Sequence, residues 1–78
     1  MAREILIRGE TIRLGQLLKL AGVVDSGSEV KALLADTPAS VNGELETRRG
    51  RQLHPGDAVR VAGHELRVIA APAEQPPA

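Results

Sequence analysis

Cysteine, phenylalanine, tyrosine and tryptophan are all missing from the 78 residues of this chain. Without cysteine there is neither a disulfide nor a thiolate metal site, and nothing marks an oxidising compartment, so a cytoplasmic setting is expected. Without aromatic rings the chain cannot stack unpaired bases on ring faces, the usual grip on single-stranded nucleic acid, so a stacking platform is nearly excluded. Net charge is lacking as well, because ten Lys and Arg balance ten Asp and Glu. The molecule exerts no long-range pull on a polyanion, and an anion site would have to come from local clustering. No apolar run approaches the ~20 residues of a membrane span. The segment Met1-Ala2-Arg3-Glu4-Ile5-Leu6-Ile7-Arg8 is too short and too charged for a signal-peptide core. A soluble protein with no membrane partner is expected.

What remains is aliphatic. Residues of the apolar class make up 42% of the chain, nearly all Leu, Val, Ile and Ala, enough for one compact core. A chain of this length buries only ~60% of its unfolded surface. Little free energy is left for buried polar machinery, which argues against an elaborate active site.

The hydrophobic periods divide the chain. Residues 4–8 alternate, with Ile5 and Ile7 on one face, and predict a short strand before the Gly9-Glu10 turn. Leu14, Leu17, Leu18 and Ala21 fall at helical spacing and predict a helix over 13–21, stopped by Gly22. Ser26-Gly27-Ser28-Glu29 fits a capping box for a second helix, carrying Val30, Leu33 and Leu34 and ending near Asp36 because Pro38 cannot continue it. Asn42-Gly43 between strand-like flanks predicts a tight hairpin, since both central residues of that turn need positive φ. Leu53-His54-Pro55-Gly56-Asp57 predicts a turn into a strand over 58–62, and Gly63-His64 turns again before a last alternating strand over 65–69. The fold class is α+β, with two short helices packed on a small antiparallel sheet of hairpins plus an N-terminal strand. One domain spans 1–70, and the Pro-rich segment 71–78 reads as a disordered tail.

Among the charged residues, Arg48, Arg49 and Arg51 carry the sharpest signal. Three guanidiniums within four residues can fork onto several phosphate oxygens, and on this reading they sit on a flexible loop with no acidic residue between Thr47 and Pro55. Glu44 and Glu46 lie just upstream. At about 100° per residue, Lys19 points about 150° from its helix's apolar stripe, into water. Lys31 stands about 105° from its own stripe, at the core rim. Arg13, at a helix start where a cation is ordinarily disfavoured, is a weaker pointer to an anionic partner. Each of these three alone is more often a plain solubility residue. His54 and His64 read as turn residues, without the spacing a zinc site needs. Ser26 and Ser28 are accounted for by capping. No acid, base or nucleophile constellation is visible, so neither an enzyme, a cofactor nor a small-molecule substrate is expected.

The run Ile12-Arg13-Leu14-Gly15-Gln16-Leu17-Leu18-Lys19, then Gly22 to Leu34, then Val41-Asn42-Gly43-Glu44, then Pro55-Gly56-Asp57, resembles the S-four RNA-binding domain over residues 12 to about 69. It is most similar to the short stand-alone bacterial members, which also carry a Glu46-Thr47-Arg48-Arg49-Gly50-Arg51 segment. The resemblance implies the alpha-L fold, in which two packed helices and a small sheet present basic residues to structured ribosomal or transfer RNA. It also implies the large ribosomal subunit as a candidate partner. Carried over, Arg13, Lys19, Lys31, Arg48, Arg49 and Arg51 are the matching basic positions. Two places depart from the pattern: Gly27, where many members have Arg, and Thr37-Pro38-Ala39-Ser40, in place of Gly and an often basic strand entry.

Two other functions fit parts of the chain. Residues 5–12 as a hairpin, a helix, Val41-Asn42-Gly43-Glu44 and Pro55-Gly56-Asp57 also occur in ubiquitin-like sulfur carriers. Such carriers need a terminal Gly-Gly, whereas this sequence ends Gln75-Pro76-Pro77-Ala78. A protein-interaction module docking through an exposed strand edge is equally compatible with neutral charge.

Overall fold

A computed structural model describes residues 2–71. Strand β1 (Arg3–Ile7) is followed by β2 (Ile12–Arg13), helices α1 (Leu14–Leu20) and α2 (Gly27–Asp36), and strands β3 (Ala39–Val41), β4 (Glu44–Glu46), β5 (Gln52–Leu53), β6 (Ala58–Val61) and β7 (His64–Ala70). Five strands form one sheet in the order β1-β7-β6-β3-β4, and β2 pairs with β5 apart from it.

The α+β class expected from the periodicities is the one observed, with a difference at the N-terminal strand. β1 runs parallel to β7, Ile5 opposite Val68 and Ile7 opposite Ala70, so the sheet is mixed. The two strands lie at opposite ends of the sequence, and the chain between them supplies the crossover that parallel pairing requires. β1 alternates as predicted, Ile5 and Ile7 buried and Leu6 exposed. Residues 5–12 do not form the hairpin that a sulfur carrier would need, because β1 pairs with β7 and β2 with β5.

Helix α1 is shorter than expected by one residue at each end. Arg13 has an extended backbone (φ −80, ψ 148) and pairs with Gln52, so it caps the helix from outside. The cap of α2 forms largely as predicted: the Glu29 N–H donates to Ser26 Oγ at 3.3 Å. The Glu29 carboxylate reaches one residue further back, accepting from the Asp25 N–H at 2.8 Å. β3 begins directly after Pro38 with Ala39 and Val41 fully buried, so that departure from the family pattern removes no strand.

Asn42 (φ 52) and Gly43 (φ 87) make the β3–β4 turn. The Asn42 side chain then does what the sequence did not announce. Its Nδ2 donates to Asp57 Oδ1 at 3.0 Å and its Oδ1 accepts from the Ala58 N–H at 2.9 Å. Asp57 in turn accepts from the His54 N–H at 2.7 Å. The Asn-Gly and Pro-Gly-Asp motifs, 15 residues apart, are thereby one clasp joining the two ends of the sheet's hairpin region. Burial pushes the Asp57 carboxyl up, but the donors from His54 and Asn42 hold it below its ordinary value. His54 lies in the turn as expected, whereas His64 opens β7, the turn itself being Ala62-Gly63.

The core comprises Ile5 and Ile7 of β1, Leu14, Leu17 and Leu18 of α1, Val30 and Leu34 of α2, and the inward residues of β3, β6 and β7. Every one of these is aliphatic, as the composition requires. Ala71, assigned to the tail, still donates to the Ile7 carbonyl at 3.0 Å. The rest of the expected disordered tail lies outside the described residues.

Candidate nucleic-acid interface

The loop between β4 and β5 carries Arg48, Arg49 and Arg51, and it is held rather than flexible. The β3–β4 register sets Glu46 opposite Ala39 on the inward face, so its carboxylate is buried beneath the loop. Glu46 Oε2 accepts from the backbone N–H groups of Thr47 (3.1 Å) and Arg48 (3.0 Å). It also accepts from Arg48 Nε at 3.1 Å, while Glu46 Oε1 accepts from Arg48 Nη2 at 3.2 Å and Arg51 Nη1 at 3.0 Å. The Arg48 and Arg51 donors hold the Glu46 carboxyl down at about 2 against an ordinary 4.5. Glu46 thus pairs with Arg48 and Arg51 and leaves Arg49 without an acidic partner among the described residues.

The loop also docks on α1. The Leu14 N–H donates to the Arg51 carbonyl and the Gly15 N–H to the Arg49 carbonyl, both at 2.9 Å. Two amides that a helix start leaves unpaired are thus used up by the loop. The approach depends on Gly15, where a Cβ would meet Val30 Cγ1 at 3.3 Å and Arg49 Cβ and O at 3.4 Å. The expectation of a flexible loop is corrected, because the buried carboxylate and the helix start each fix it, while the loop keeps its basic side chains.

Docking places Arg49 at the junction of the two helices. Arg49 lines one depression with Arg13, Gln16 and Lys19, and a second with Lys31 and Thr47. Arg13, Lys19, Lys31 and Arg49 are all exposed and make no ion pair among the described residues. Four of the six sequence-predicted cations therefore share one continuous face. Arg48 and Arg51 turn to the other side of the loop, where they line a separate open depression with Gln52, His54 and the acidic Asp57. Arg48 remains 77% exposed while bridging to Glu46, and Arg51 is 33% exposed.

Sequence reasoning missed Glu46 as the organiser of this region. The signal was present: a two-residue Asn-Gly turn sets Val41 against Glu44 and Ala39 against Glu46, and alternation then turns Glu46 inward with Ala39. It also missed Gly15, whose role exists only once loop and helix meet.

Two short helices, a mixed sheet and a cationic face assembled by one docked loop define a small binding module. A family model described as the S4 domain matches residues 5–69, and the chain belongs to that family. The match begins at Ile5 rather than near residue 12, which takes β1 into the domain. The chain is 48% identical over 63 residues to the Bacillus subtilis (strain 168) protein named "Probable ribosome maturation protein RlbA", covering 81% of this chain and 89% of that one. It is 37% identical over 59 residues to the Escherichia coli (strain K12) protein named "Putative RNA-binding protein YbcJ", covering 76% and 84%.

Proposed function

We propose that this protein is a cytoplasmic RNA-binding module that holds structured ribosomal RNA through phosphate and shape contacts, without catalysing a reaction on it. The observation that carries this reading is the position of Arg49, an exposed cation between Arg13 and Lys19 on one side and Lys31 on the other. Phosphates repeat along an RNA backbone, and a face with cations on both sides of a fixed arginine can meet several at once. With no aromatic ring, base stacking on rings contributes nothing, so recognition falls to backbone charge and helical shape. The name of the Bacillus relative supports ribosomal over transfer RNA, and an assembled or assembling large subunit is the particle on which we place it. Arg48 and Arg51, paired with Glu46 on the other side of the loop, contribute on this reading by fixing the loop that presents Arg49.

The test is binding of the purified protein to large-subunit ribosomal RNA and to isolated large subunits across a salt series, beside transfer RNA as competitor. Saturable binding that weakens steeply with salt and is lost in an Arg13→Glu/Lys31→Glu/Arg49→Glu variant supports the reading. Salt-insensitive binding, or an unaffected variant, overturns it. Binding of transfer RNA as tight as ribosomal RNA removes the ribosomal assignment alone.

A further inference from the structure

Among the described residues three large apolar side chains are exposed: Leu6 at 55%, Leu20 at 58% and Leu45 at 79%. Leu45 stands on edge strand β4 opposite Ser40. Leu6 and Leu20 instead share an open groove between the end of β1 and α1, lined also by Arg8, Ile12, Gln16 and Lys19. Among the described residues no acidic side chain lines it. Its volume is about 630 Å³ and it opens widely to solvent. The groove runs into the cationic face, because Gln16 and Lys19 line both.

We propose that this groove takes one unpaired nucleotide adjoining the structured RNA held by Arg49 and its neighbours, with the base against Leu6, Ile12 and Leu20 and its phosphate between Arg8 and Lys19. The proposal rests on the RNA reading above and extends it from gripping phosphates to recognising a junction between paired and unpaired strands. Only an unpaired base has free faces to lay on an aliphatic surface, and burying them there removes apolar area from water. The phosphate that accompanies it meets two cations, Arg8 and Lys19, and among the described residues no carboxylate. Gln16 Oε1 accepts from the Arg13 N–H at 3.4 Å, which leaves the Gln16 amide NH₂ available to a carbonyl or ring nitrogen on the base. An acidic, apolar peptide would satisfy the same charges. The RNA has the advantage of continuity, since a backbone already on Lys19 delivers its next nucleotide to the groove without a second partner.

The test uses the full chain and an RNA hairpin that ends either blunt or in a short single-stranded extension carrying 2-aminopurine. The protein has no aromatic residue, so the fluorescence reports the RNA alone. The extended hairpin should bind about fivefold tighter than the blunt one, the low end of base-stacking contributions because aliphatic groups replace rings. A Leu6→Ala/Leu20→Ala variant should lose that preference while binding the blunt hairpin as before. Leu20→Trp should enlarge it and quench the 2-aminopurine. Both leucines are solvent-facing, and far-ultraviolet circular dichroism checks that each variant folds. Equal affinity for the two hairpins overturns the groove assignment and leaves the phosphate reading standing. Binding of neither RNA overturns both. If the double alanine variant binds both hairpins normally but large subunits more weakly, the groove holds a protein and the proposal fails.

Discussion

Replacing Arg49 by alanine should flatten the salt dependence of RNA binding without loosening the fold. The Arg49 carbonyl, not its side chain, accepts the Gly15 amide at 2.9 Å, so truncation leaves the loop docked. The side chain is exposed and forms no ion pair among the described residues, so its charge is free for a phosphate. Taking ~5 phosphate contacts, and a slope of about −0.9 per contact borrowed from duplex DNA, affinity falls roughly 500-fold between 50 and 200 mM salt. With one contact fewer the same interval costs about 150-fold. Titration by fluorescence anisotropy at several salt concentrations measures both slopes. Arg51→Ala is the internal control. Its guanidinium is held on Glu46 at 3.0 Å, so that variant should melt earlier while keeping a slope close to the parent's. If Arg49→Ala leaves the slope unchanged, or Arg51→Ala lowers it as much, the assignment of one arginine to the ligand and the other to the loop is wrong.

Glu46→Gln should lower the melting temperature at neutral pH, because the carboxylate that gathers Arg48, Arg51 and two backbone amides becomes a neutral amide. The folded carboxyl titrates at about 2 against 4.5 ordinarily. The advantage of the parent is therefore complete above pH 4.5, shrinks as pH falls, and is gone near 2. Melts followed by circular dichroism across that range check it, and a difference that grows on acidification would contradict the pairing. Gly15→Ala should destabilise by about 1 kcal/mol, since the gain of ~0.5–1 kcal/mol from an added helix former is outweighed by ~1–3 kcal/mol of crowding against Val30 and Arg49. It should also weaken RNA binding, measured on the same anisotropy assay, because Arg49 is what the new methyl displaces. Asn42→Gly keeps the turn but loses the clasp to Asp57 and Ala58 and should cost about 1–2 kcal/mol in urea unfolding. Asn42→Ala should cost about 1 kcal/mol more through left-handed strain.

Periodicity was most informative where burial alone decides the pattern. Leu14, Leu17 and Leu18 announced α1, and Val30 and Leu34 announced α2, because a helix in a small aliphatic core needs one apolar stripe and has no other way to pay its ordering entropy. Asn42-Gly43 announced its hairpin because few residues accept positive φ. The parallel pairing of β1 with β7 was not legible, since a single alternating strand says which face is buried and nothing about its neighbour. Nor was the brief β2–β5 pairing, which is two residues long on each side and too short for any period. The basic positions were legible as residues, while their division into arginines held on Glu46 and an arginine left unpaired among the described residues was not.

The sequence by itself determined both helices and the longer strands, the aliphatic core, the exclusion of disulfide and ring-stacking chemistry, and the stock of cations, because these follow from residue type and from spacing along the chain. Tertiary structure decided which cations are free. Glu46 neutralises part of the arginine cluster only because the β3–β4 register turns it inward, and Arg49 stands among Arg13, Lys19 and Lys31 only because two loop carbonyls cap α1 across Gly15. Both are contacts between segments distant in sequence, set by geometry that no local pattern encodes.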